Sequence, residues 1–141
     1  TLPRTFIARN SDEFLYLLSA NDKLRVCLDT NHPLGEPISS FISEVGNKII
    51  TLHVSDYDFG DERHWLPGEG MVDWIELYNQ LIGVGYNGVW MYEVGYKTPK
   101  SIYRPYDLCP ADLVRNAREI FAGMKPTSLG KPADNLAVWK E

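Results

Sequence analysis

Apolar residues change their period along this chain, and the changes alternate. Behind Asn10-Ser11-Asp12-Glu13, residues Phe14, Leu15, Leu17 and Leu18 recur at helical spacing. Asn10 can cap and Glu13 stands three residues on, as in a capping box, so a helix is predicted from there to near Asn21. Arg25-Val26-Cys27-Leu28-Asp29 is a short apolar run ending in an acid and reads as a buried strand. His32-Pro33-Leu34-Gly35 is loop chemistry, after which Ile38, Phe41, Ile42 and Val45 return to helical spacing, with Gly46 placed to end the helix. Residues 48–54 form a second buried strand, Lys48-Ile49-Ile50-Thr51-Leu52-His53-Val54, followed by a long polar loop from Ser55 to Gly70. Asp73 then caps a helix through Trp74, Leu77, Tyr78, Leu81 and Ile82. Residues 88–94, Gly88-Val89-Trp90-Met91-Tyr92-Glu93-Val94, make a third strand with an acid near its end, and a last helix runs from Ala111 to Met124. The stretch from Tyr96 to Leu108 and the tail 125–141, with Pro126 and Pro132, read as irregular.

Helices and strands that alternate in this way point to parallel βα units and an α/β fold. Strand centres near Cys27, Thr51 and Met91 recur about every 32 residues, close to the roughly 31 per unit of a (β/α)₈ barrel. An open doubly wound sheet has similar spacing, so the period alone does not choose. The expected organisation is one unit over 1–124 and a tail over 125–141.

Composition narrows the class. The 141 residues carry a net charge of −5, which argues against a nucleic-acid partner, since such proteins present a basic face. No apolar run is long enough for a membrane span. Cys27 and Cys109 are far apart and without metal spacing; Cys27 reads as a small core residue, and a reduced, cytoplasmic setting is expected.

The chemistry lies at the strand ends. Asp29, His53 and Glu93 each close a strand, and in parallel βα folds the working end is the C-terminal one. Taken singly, Asp29 can cap the following loop, His53 can be a satisfied semi-buried histidine and Glu93 can sit in a rim ion pair. Three such residues in the same structural position favour convergence on one divalent ion, Mn²⁺, Mg²⁺, Co²⁺ or Zn²⁺. Trp90 and Tyr92 share a face opposite Met91; with Trp65 they are candidates to stack on a sugar ring.

Leu28-Asp29-Thr30-Asn31-His32, Leu52-His53-Val54-Ser55-Asp56, His64-Trp65-Leu66-Pro67-Gly68-Glu69-Gly70, Val72-Asp73-Trp74, Gly85-Tyr86-Asn87-Gly88 and Tyr92-Glu93 occur in that order. Over residues 1 to 120 this ordered set resembles the C-terminal half of the xylose-isomerase-like TIM barrel family. That family holds sugar phosphate isomerases and epimerases together with endonucleases of the endonuclease IV type. The resemblance implies a partial barrel of three parallel strands. It also implies proton transfer beside a sugar carbonyl through a metal-stabilised enediolate. Asp29, His53 and Glu93 would hold the metal, with Glu93 also the acid–base. His32, His64 and Arg63 would touch a small-molecule sugar or sugar phosphate. The family's first metal glutamate is expected upstream of Leu2-Pro3-Arg4-Thr5, so self-association or association with a missing N-terminal half is expected, and an isolated chain without turnover. The alternatives are a DNA-repair endonuclease, which would need a basic groove and more histidines for several zinc ions, and a non-catalytic truncated paralogue.

Overall fold

The structure, a computed structural model, describes residues 7–33 and 35–138; the Leu2-Pro3-Arg4-Thr5 segment lies outside them. Helix α1 (Ser11–Ala20) starts where the sequence places it, with the Asn10 side chain accepting from the Glu13 amide. Strand β1 (Val26–Asp29) follows, then α2 (Ile38–Val45), closed by Gly46 at φ +55°. After a short 3-10 turn, strand β2 (Ile49–His53) lies parallel to β1. Helix α3 (Trp74–Gly83) is capped by Asp73, whose side chain accepts from the Glu76 amide. Helix α4 (Pro110–Phe121) opens one residue before the expected start. It ends three residues before the expected Met124, because Gly123 adopts φ +71° and breaks the helix.

The fold is α/β with a parallel sheet whose helices cover one face. Leu28, Leu52 and Val54 are fully buried, and they pack with Phe41, Ile42, Trp74, Leu77, Leu81 and Ile120 in one core. Leu28 and Leu52 therefore face the helices. Trp90 and Tyr92 belong to the same layer: Trp90 packs edge-on against Trp74 and Phe121, and the Tyr92 hydroxyl donates to Asn116 Oδ1 on α4. Cys27, Asp29, Thr51 and His53 occupy paired positions of β1 and β2 on the alternate face.

Two departures follow from hydrogen bonding. The expected third strand, 88–94, joins the end of β2 through a single parallel bridge, Val54 with Tyr92, so among the described residues the parallel sheet has two strands. The Val54 amide donates to the Met91 carbonyl and the Glu93 amide to the Val54 carbonyl. Two residues earlier no rung forms, and the Val89 carbonyl accepts from the Tyr86 hydroxyl at 2.7 Å. Within the sheet, Val26 pairs with Ile49 and Cys27 with Thr51, so Ile50 is an extra residue in β2 and stands 54% exposed. The second departure is in the parts read as irregular. Strand β3 (Ile102–Tyr103) pairs antiparallel with β4 (Lys131–Pro132), tying the tail to the body.

Candidate metal and substrate site

Asp29 and His53 end paired parallel strands, which fixes their side chains about one strand spacing apart on one face. The single bridge to Tyr92 brings the next residue, Glu93, to the same end. His53 Nδ1 lies 3.5 Å from Asp29 Oδ2 and 3.1 Å from Glu93 Oε2, and the three ligand atoms all fall within 4.8 Å of one another. Glu93 Oε2 is buried and makes no hydrogen bond, despite its closeness to the imidazole. Burial, then the neighbouring Asp29 carboxylate, holds the Glu93 carboxyl above the usual carboxylate range. Two acids pressed together beside an imidazole, one with an unsatisfied buried oxygen, suit a hard or borderline divalent cation.

The loop after β2 stands over this end. Thr30 Oγ1 donates to the Ser55 carbonyl at 2.7 Å and accepts from the Ser55 amide at 3.0 Å, fastening the two strand exits together. Asp56 is fully buried, and its carboxylate accepts from the amides of Tyr57, Gly68 and Val72 and from the Trp74 indole. Burial nevertheless pushes its carboxyl above the ordinary value. Gly70 has to be glycine here, because a Cβ would come within 2.3 Å of the Tyr57 carbonyl oxygen. Glu69 and Arg104, both buried, form a two-pronged ion pair at 2.6 and 2.7 Å that holds the far side of the loop.

The rings of His32 and His64 lie with their centroids 6.1 Å apart. His32 Nδ1 lies 3.5 Å from Asp29 Oδ2, so it borders the first group. His32, His64 and Glu62 also form a second set whose ligand atoms lie within 4.8 Å of one another. Arg63 is paired with Asp58, through Nε at 3.0 and 3.1 Å and Nη2 at 2.9 Å, and Nη2 also donates to the Ala137 carbonyl. Its guanidinium is thus engaged in holding the loop and the tail.

The aromatic residues offered as sugar platforms are elsewhere. Trp90 and Tyr92 lie in the helix-side layer, and Trp65 is fully buried, with its indole donating to Ser101 Oγ at 2.9 Å. Sequence reasoning passed over Glu62, Asp56 and Asn31. Glu62 carried a signal, an acid two residues before a loop histidine; the other two act through backbone contacts that no spacing announces. A cavity of about 560 Å³ between the start of α2 and α3, lined by Pro33, Ile38, Phe59 and Leu77, includes none of the three strand-end residues. The candidate site is thus marked by the convergence of charged groups and not by cavity size.

The family model described as xylose isomerase-like TIM barrel matches residues 1–120. The chain belongs to that family. Among curated proteins it is similar to fructoselysine 3-epimerase of Escherichia coli O157:H7, with 38% identity over 53 residues covering 38% of this chain and 19% of that protein. The same enzyme of Shigella flexneri matches to the same extent. The matched stretch thus spans about a fifth of the length of these relatives. Among solved structures, a D-tagatose 3-epimerase-like protein superposes with a TM-score of 0.59 at 23% identity, covering 67% of this chain and 38% of that one. This likeness supports the shared fold. Among the described residues, no helix is long and apolar enough to cross a membrane.

Proposed function

We propose that this chain carries the C-terminal, metal-holding part of a sugar epimerase or isomerase barrel. The observation that supports it is the convergence of Asp29, His53 and Glu93 at one strand end, with Glu93 Oε2 buried and without a hydrogen bond. Asp29, His53 and Glu93 are the residues that would hold a divalent metal. Bound there, the cation would supply Lewis-acid polarisation of a carbonyl oxygen. Glu93, whose carboxyl is held high by burial and by Asp29, is suited to take a proton from the carbon beside that carbonyl and to return it. His32 and His64 line the adjoining rim and would orient sugar hydroxyls. Arg63 would reach a sugar phosphate only by exchanging its pairing with Asp58. The setting we infer is a reducing one, such as the cytoplasm, in keeping with two cysteines that are free.

The test is titration of the 141-residue chain with Mn²⁺, followed by electron paramagnetic resonance, for wild type and His53→Ala. Loss of one ligand should weaken binding at least tenfold, the lower end of what even outer partners of a ligand set contribute. Equal affinity in the two proteins would remove the metal site from this reading. Epimerisation of fructoselysine by a longer protein containing this chain, with Glu93→Gln as control, tests the reaction itself.

A second reading, a zinc-dependent nuclease, draws on the second ligand set, His32, Glu62 and His64. The net charge of −5 weighs against it. Zinc stoichiometry, together with cleavage of DNA containing an abasic site, separates the two.

A further inference from the structure

One buried residue joins the metal-binding end to the loop above it. Asn31 is fully buried. Its backbone amide donates to Asp29 Oδ1 at 3.0 Å. Its side-chain oxygen accepts from the Arg63 amide at 2.9 Å and from the His64 amide at 3.3 Å. His64 sits at φ +54°, the left-handed region, where a side chain stays only if its surroundings enforce it. The shared acceptor on Asn31 supplies that enforcement. On its other side His64 Nδ1 lies 3.5 Å from Ser55 Oγ, so backbone and ring are both held. The remaining half of the amide is different. Asn31 Nδ2 is buried and makes no hydrogen bond. Buried donors are normally paired, so one left over beside the strand-end residues points to a partner that arrives from outside.

We propose that Asn31 is a positioning residue: its oxygen sets His64 beside His32 and Glu62, and its NH₂ group is the donor kept for an oxygen of the bound sugar. The second half rests on the epimerase reading, whereas the first stands on the loop geometry alone.

Two variants divide the roles. Asn31→Asp keeps an acceptor in place and removes the donor; Asn31→Ala removes both. Amide hydrogen exchange on the 141-residue chain should quicken about tenfold at Arg63 and His64 in Asn31→Ala, the scale of one hydrogen bond, and stay near wild type in Asn31→Asp. The core amides of Leu28 and Leu52 should be unchanged in both, which separates local release from global loosening. If Asn31→Ala does not fold, Asn31→Ser, too short to reach either amide, carries the same expectation. Wild-type exchange at Arg63 and His64 in the truncated variant would overturn the positioning role. Fructoselysine, titrated by chemical-shift change into the manganese-free protein, should bind at least tenfold more weakly to Asn31→Asp. Unchanged affinity overturns the donor role. No binding to the wild type at all overturns both the donor role and the fructoselysine reading, while the exchange result still decides the positioning.

Discussion

Asp56 and Asp58 stand two residues apart and meet opposite fates. Asp56 is sealed in the loop, and burial outweighs its hydrogen bonds, so its carboxyl is raised. For Asp58, burial is again the largest single influence and acts upward. The Arg63 guanidinium and the Gly60 amide together exceed it, and the net result is a carboxyl below its ordinary value. In the unfolded chain Asp58 would titrate near about 4. A depressed folded value means that the pair contributes stability above that pH, and that the contribution is lost as pH falls through the lower folded value. Amides 57–64 should therefore exchange faster than the core amides as pH drops below about 4, once the intrinsic pH dependence of exchange is removed. Arg63→Met should abolish that difference; a loop that stays equally protected at low pH would show that the ion pair does not hold it. At this scale the convergence of Asp29, His53 and Glu93 was legible because each closes an apolar run. The residues that brace the neighbouring loop were not. Asn31 and Asp56 act on backbone amides 33 and 16 residues away, and sequence spacing carries no trace of such contacts.

The four helices were readable because caps and apolar stripes agree: Asn10 before α1, Asp73 before α3 and Gly46 after α2. The third strand was overread. Its composition is that of a strand, but its pairing stops at one bridge, and the Val89 carbonyl accepts from the Tyr86 hydroxyl within its own segment. Its close approach to β2 also depends on Gly88, where a Cβ would lie 2.6 Å from the Ile50 carbonyl oxygen and from the Tyr86 hydroxyl. Gly88→Ala should cost about 1–3 kcal/mol, as overpacking against a backbone atom does, read from urea unfolding. Because Glu93 reaches the site through this segment, Mn²⁺ affinity should fall in the same variant. A Gly88→Ala protein with wild-type stability would mean that the segment is free to move away from β2. The short β3–β4 pair was invisible for another reason: two residues on each side are too few to show any period.

Among the described residues, two parallel strands and one bridge leave sheet edges uncovered, and Ile50, Val89 and Met91 stand 54%, 70% and 42% exposed on these segments. Bare edges and exposed apolar residues favour association. Light scattering on the purified chain should give a mass above the monomer's 16.1 kDa. Ile50→Lys should shift it downward, and a monomer at all concentrations would show that this surface needs no cover. The contacts between tail and loop carry a separate consequence. The Ala137 carbonyl is held by Arg63, the Ala133 amide donates to the Ser101 carbonyl, and Ser101 Oγ receives the Trp65 indole. A peptide or affinity tag fused near this end would therefore pull on the same loop that presents Glu62 and His64. Proteins purified with and without such a fusion, otherwise identical, would then differ in ligand affinity for a reason that has nothing to do with the strand-end residues.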